Sequence, residues 1–225
     1  NKLAFEGFYI EDHAGDTLLF ADRLYVTMSS RALVRGDLIF KTAGIKGGIF
    51  NIKPNSTGVS NLSRFLGATE TGDDNSSSGK PLHLAARRLD VEGINLRIKS
   101  AASKETKGIF NTGDIELQGL TLKARNITVD GDNVLAGIDN ISFWDKSGFA
   151  LESMSAKKLS VTSSGISASD LSITSTGSQL NFDKLSLAYQ GWRAFSNIAD
   201  SVRLEASMIN STIGLLTISF FTYHC

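Results

Sequence analysis

The side chains able to do chemistry are few, and their spacing does not favour it. The three histidines, His13, His83 and His224, lie far apart and fall into no HExxH or other metal-ligand spacing. His83 stands in Leu82-His83-Leu84, where the solvent face of a strand is its natural place. Serine is abundant, but no GxSxG elbow, P-loop or strand-following GxGxxG singles one out. Asp130-Gly131-Asp132-Asn133 looks like a calcium loop but lacks the distal Glu of the EF-hand spacing. It reads instead as a turn that uses the backbone tolerance of Asp, Gly and Asn. Six Asn-x-Ser/Thr sequons, at Asn55, Asn61, Asn75, Asn126, Asn140 and Asn210, are what a chain rich in Ser, Thr and Asn carries by chance. The expectation is a protein that is not an enzyme, with no metal and no cofactor.

Charge narrows the partners. Lys and Arg total 23 and Asp and Glu total 23, so nothing provides the clustered, uncompensated cations that nucleic acid requires. The basic pairs Arg87-Arg88 and Lys157-Lys158 read as solvated strand flanks. A single cysteine, Cys225, allows no internal disulfide, so stability must come from packing and hydrogen bonds. With 225 residues, 41% of them apolar, the chain can bury a sizeable core in one large or two small domains. The start, Asn1-Lys2-Leu3-Ala4-Phe5, has neither a basic n-region nor an apolar h-region, and it reads as a fragment whose own start lies upstream. Residues Ile213 to Cys225 are apolar but shorter than the ~20 residues of a membrane helix, and read as a strand or a product of truncation.

The elements follow from period. Two prolines stand against 21 glycines, and long 3.6-residue patterns are missing. Alternation recurs instead: Ile127-Thr128-Val129, Ile141-Ser142-Phe143, Leu159-Ser160-Val161, Leu171-Ser172-Ile173 and Leu185-Ser186-Leu187 each place two apolar side chains on one sheet face and a hydroxyl on the other. Gly, Asn, Asp and Ser turns separate them, which predicts an all-β chain of short antiparallel strands. Ile115, Ile127 and Ile141 are spaced by twelve and fourteen, and the same steps recur 44 residues later at Leu159, Leu171 and Leu185. A unit of about three strands therefore repeats from residue 115 on, the mark of a stacked architecture. Gly15-Asp16 reads as a hairpin turn, and residues 47–53 as a strand. Residues 59–66 could form two helical turns ended by Gly67, and residues 194–199 a second short helix. Between 69 and 80 almost nothing could be buried. The division expected is strands and a short helix over 1–67, a flexible polar loop over 68–80, and a repeating segment over 81–225.

If such strands lie side by side, Ile115, Leu117, Ile127, Val129, Ile141, Phe143, Leu159, Val161, Leu171, Ile173, Leu185 and Leu187 form one apolar face. At ~4.8 Å per strand a dozen strands make it roughly 55 Å long. Soluble proteins rarely leave such a patch bare, so a second sheet, a curl of the same sheet or a bound lipid must cover it. A dry sandwich or β-helix core would produce the same periodicity.

Three segments resemble the TamB/AsmA-like cell-envelope proteins, in particular those of Bacteroidetes-type bacteria. The first is Gly7-Phe8-Tyr9-Ile10-Glu11-Asp12 with residues 15–26. The second is Phe50-Asn51-Ile52-Lys53 leading through Gly58 and Asn61 to Phe65-Leu66, then residues 89–96. The third is Ile138-Asp139-Asn140-Ile141-Ser142-Phe143 with Ser147-Gly148-Phe149, and later residues 185–189. The resemblance implies an elongated, curved sheet forming a β-groove with an apolar channel, in the periplasm of a Gram-negative envelope, anchored in the inner membrane by an upstream helix. It implies passive passage of phospholipid and support of outer-membrane biogenesis, with an outer-membrane β-barrel assembly protein as partner through regions this chain lacks. The twelve apolar residues are the groove candidates under that reading. The competing expectation is an adhesin-like β-solenoid surface protein with a dry core. A polysaccharide-acting β-helix enzyme fits less well, because these strands present Ser and Thr where clustered carboxylates would be needed.

Overall fold

A computed structural model describes residues 2–28, 38–54, 60–62, 83–99, 111, 113–131, 133–190, 201–215 and 217. The chain is almost entirely β, forming one ten-stranded, mostly antiparallel sheet that does not close into a barrel. The strands are β1 (Lys2–Glu11), β2 (Thr17–Met28), β3 (Leu38–Ile52), β4 (His83–Lys99), β5 (Asp114–Asp130), β6 (Asn133–Asp145), β7 (Ala150–Thr162), β8 (Gly165–Ser175), β9 (Ser178–Tyr189) and β10 (Val202–Met208). Sequence order is spatial order, and each strand packs chiefly against its neighbours in the chain.

Three expectations need correction. The strands are long, up to 17 residues in β4 and β5. Consequently Ile115-Leu117 and Ile127-Val129 share β5 instead of occupying separate strands, and the face spans ten strands. Nine spacings of about 4.8 Å make it roughly 43 Å wide. Second, β3 and β4 pair in parallel, with Ile45 opposite Val91 and Phe50 opposite Leu96. A parallel pair needs a crossover of a dozen residues or more, and the stretch from 53 to 82 provides it. Third, Arg87-Arg88 and Lys157-Lys158 lie within β4 and β7, not at strand flanks.

The reason for the long strands is a reversal of side-chain phase. Residues three apart on a regular strand face opposite ways. Yet Ala86 and Leu89, Ala124 and Ile127, Ile138 and Ile141, Ala156 and Leu159, Ala168 and Leu171, and Phe182 and Leu185 all belong to one contiguous apolar cluster. Between the members of each pair stand two polar residues, among them Arg87-Arg88, Lys157-Lys158 and Asp183-Lys184. Asn126 and Asp170 have left-handed backbones there (φ 50° and 47°), which turns the next side chain over. The pairing shifts register near Asn126, between β5 and β6, and runs unshifted through Asp170. The two sit 44 residues apart, so the sequence period has a structural counterpart. It is incomplete: β7 and β8 turn at residues 163–164, whereas β5 runs straight through the corresponding 119–120.

A second line of reversals crosses the first half of the sheet. Gly7, Gly47, Gly93 and Gly119, on β1, β3, β4 and β5, all have positive φ. The Phe5 and Phe8 rings, one on each side of Gly7, lie 6.1 Å apart and therefore share a face. At Gly47 a Cβ would meet the exposed Asp22 carboxylate, which would have to swing aside, in addition to the penalty of the positive φ.

The expected turns at Gly15-Asp16 and at residues 130–133 are present, with Asp130 paired to Asn133. Of the expected 59–66 helix, Asn61 and Leu62 are helical, Ser60 instead makes an isolated antiparallel bridge with Pro54, and Val59 and residues 63–66 lie outside the described residues, as do the 69–80 loop, the 194–199 helix, Asn55, Asn75, His224 and Cys225. Described residues from 213 onward form no strand with the sheet. Thr217 instead accepts a hydrogen bond from the Ser178 hydroxyl at 2.8 Å.

Candidate functional site

Register assembles the apolar face row by row. One row crosses nine strands without a polar member: Phe5, Leu24, Ile45, Val91, Leu122, Ile141, Met154, Ile173 and Leu180. A second runs Leu3, Val26, Ala43, Leu89, Ala124, Ile138 and Ala156 across seven strands. A third runs Val129, Val134, Val161, Ile166, Leu187 and Leu204 across the far half. Aliphatic cross-strand pairs of this kind stabilise a sheet by burying area on one side.

The twelve candidates divide accordingly. Ile127 and Leu171 are buried within the central cluster, and Val129, Ile141, Leu159, Ile173 and Leu185 pack half-buried against it. Val161 and Leu187 are half-buried in the third row. Ile115, Leu117 and Phe143 lie towards the other ends of their strands. Leu117 is buried there, Ile115 pairs with Ile98, and the Phe143 ring meets Phe149 at 6.3 Å.

Sequence reasoning passed over the alanines. Ala86, Ala124, Ala136, Ala156 and Ala168 are all buried, although no second strand layer is packed on the sheet among the described residues. They share one cluster with the larger buried side chains of Ile127, Ile138, Leu171 and Phe182, and a methyl set between such neighbours is covered by them. The readable signal is an apolar residue, two polar residues and another apolar residue, repeated at the same height on successive strands.

The opposite face carries cross-strand ion pairs together with some exposed apolar side chains, Leu135 between Thr128 and Ser160 among them. Lys46 pairs with Glu92 at 2.6 Å and Arg97 with Glu116 at 2.8 Å, each directly across a strand boundary. Hydrogen bonding from Lys46 holds the Glu92 carboxyl below its ordinary range, and the same contact raises Lys46. Such exposed pairs contribute little to stability. They do keep free cations off this part of the surface.

At one end of the sheet a polar clamp fixes the start of the crossover. Buried Asn61 donates through Nδ2 to the Asp12 carboxylate at 3.0 Å and to the Asn51 carbonyl at 3.2 Å. Its Oδ1 accepts from the Lys53 amide at 2.9 Å. The Asn61 bond is the main reason the Asp12 carboxyl lies below its ordinary value, and amides from Asp16 and Ala14 act in the same direction.

His13 lies in the β1–β2 turn and His83 opens β4, far from any shared site. Among the described residues no group of three His, Cys, Asp or Glu could hold a metal, and no helix is long and apolar enough to cross a membrane. What the sheet does present is a long apolar row across nine strands on one side. No protein-family profile, no curated protein and no solved structure matches the chain.

Proposed function

We propose that this chain is a segment of a lipid-transfer groove of the Gram-negative cell envelope, of the TamB/AsmA-like kind, along which phospholipid acyl chains pass without catalysis. The observation that carries this reading is the row from Phe5 to Leu180, apolar across nine strands of a sheet that does not close into a barrel and, among the described residues, has no second strand layer behind it. Each methylene laid against such a face gains up to about 0.8 kcal/mol. Since every member of the row is aliphatic or aromatic, that gain changes little from strand to strand, and a chain can slide. Head groups stay in water at the open side. The resemblance extends the proposal to a periplasmic location, an upstream inner-membrane anchor, and an outer-membrane β-barrel assembly partner reached through other regions. A coiled solenoid fits less well, because each strand here pairs with the next one in the chain and not with one a full turn away.

The test is mass spectrometry of lipids that co-purify with the detergent-free protein. Val129, Val161 and Ile173 changed together to Asp should strip phospholipid. Thr128, Ser160 and Ser167 changed together to Asp, on the polar phase of the same strands, should keep it. Circular dichroism checks that both variants stay folded. A folded wild type free of lipid would overturn the proposal and favour a structural surface protein.

A further inference from the structure

In the middle of the sheet, on the side opposite the apolar rows, one large aromatic side chain is left uncovered. Trp144 near the end of β6 is 64% exposed, more than any other large apolar residue described on β1 to β9. Ser142 precedes it by two residues and shares its side, whereas Phe143 between them turns its ring the other way to meet Phe149 at 6.3 Å. The indole rests on Gly119 of the adjacent β5, where a Cβ would stand 3.5 Å from its six-membered ring. A cavity of about 480 Å³ adjoins the ring, bordered by Gly119, Thr121, Ser142 and Glu152 together with Phe143 and Leu151. Among the described residues the Glu152 carboxylate and the Ser142 hydroxyl have no side-chain partner, and the Thr121 hydroxyl reaches only the Gly119 carbonyl, at 3.4 Å.

We infer that this cavity is a carbohydrate site, which takes a pyranose ring of an uncharged glycan stacked on Trp144. A pyranose has a flat face of C–H groups and a rim of hydroxyls. The indole supplies a rigid apolar platform for the first, at little cost in conformational freedom. For the second, the Glu152 carboxylate accepts hydrogen bonds, and the Ser142 and Thr121 hydroxyls both accept and donate. These groups are not committed to other side chains, so a sugar hydroxyl displaces only water. The cavity has the size of a small-molecule site. Its chemistry also excludes two other ligand classes. Glu152 is the single charge among the bordering residues, so a uronate or phosphate would meet a like charge with no cation to offset it. A quaternary ammonium head group is held by a cage of several rings, and here Phe143 faces away and leaves one. The site lies on the other side of the sheet from the apolar rows, so it and the lipid reading can fail separately.

The test is a titration of the whole chain with cellotetraose and with chitotetraose, followed by NMR. The Trp144 indole N–H signal, identified by its loss in Trp144→Phe, should shift saturably with at least one of the two sugars. Affinities of the variants are read from the backbone amides of Thr121 and Ser142. Trp144→Ala should weaken binding about tenfold, and Trp144→Phe, which keeps a ring, should recover most of it. Glu152→Ala should weaken it about fivefold. Leu135→Ala, exposed on the same face but outside the cavity, should change nothing. Dispersion of the amide signals checks that each variant is folded. Folded wild type that binds neither sugar overturns the inference, even if lipid is bound. So does sugar binding that Trp144→Ala leaves intact, or a Trp144 signal that responds to tetragalacturonate or phosphocholine as strongly as to either sugar.

Discussion

The reversals on β1 to β5 and those on β4 to β9 meet the same geometric need with different residues. The first line uses glycine at Gly7, Gly47, Gly93 and Gly119, where a left-handed backbone carries no steric penalty. The second uses pairs of polar side chains, with Asn126 and Asp170 as the left-handed members, since short polar side chains tolerate that region best after glycine. Burial does not divide in the same way. The alanine-lined cluster belongs mainly to β4 through β9, but Leu18 and Ala21 on β2, Ile94 beside Gly93 and Leu117 near Gly119 are buried too, while Leu3 and Phe5 on β1 are 49% and 46% exposed. Gly7 and Gly93 have open space where a side chain would stand, so there the backbone turns over without packing to hold it. Strained residues appear where the cluster can hold them in place.

Four changes would break or sharpen this contrast. The largest effect is expected from Gly48→Ala, at φ 122°, where a Cβ would strike the Phe20 carbonyl of the adjacent strand. Urea unfolding should show a loss of about 3 kcal/mol or more. Gly93→Ala has open space around it and carries only the backbone penalty, about 1–2 kcal/mol. A loss at Gly93 as large as that at Gly48 would mean the first line is supported by packing after all.

Next comes Ala168→Leu, which forces three extra carbons into the buried cluster and should cost about 2 kcal/mol by the same measurement. A neutral result would show that the cluster has room there for a larger side chain. Smaller still, Asn126→Gly should gain about 0.5 kcal/mol by relieving the left-handed backbone, and Asn126→Val should lose about 1–2 kcal/mol.

The subtlest effect concerns pH. Asp12 is depressed in the folded state, chiefly by Asn61, so its contribution is present above the unfolded carboxyl value and is lost as pH falls through the lower folded one. Thermal melting of wild type and Asn61→Ala should therefore differ most near neutrality. In the acid range the pH-dependent part of the gap should close, leaving only the loss of the Asn61 backbone bonds. A gap that widened in acid would place the effect on another group.

Much of the fold was legible because alternation is a local property. Leu159-Ser160-Val161 and its counterparts fall on strands with the expected phase, and the turn at residues 130–133 follows from its Asp, Gly and Asn. Strand length was not legible in that way. Arg87-Arg88 and Arg125-Asn126 interrupt alternation just as a turn would, and only partner strands reveal that the chain runs on. The parallel pairing of β3 with β4 depends on the long stretch between them, which has no period of its own. The buried alanines stayed hidden because a single Ala beside polar residues carries almost no hydrophobic signal, and its meaning comes from alignment with apolar residues on other strands.

The central claim is that acyl chains lie on the phase-reversed apolar face, and it is tested most directly by photocross-linking along β5. A photoreactive residue placed singly at the half-buried Leu122 or Val129 should capture phospholipid, while Lys123 and Thr128 should not. Leu122 and Val129 are seven residues apart and would face opposite ways on a regular strand, so capture at both requires the reversal at Asn126. Capture that ignores this phase, or no capture at any of the four positions in folded protein, would contradict the account.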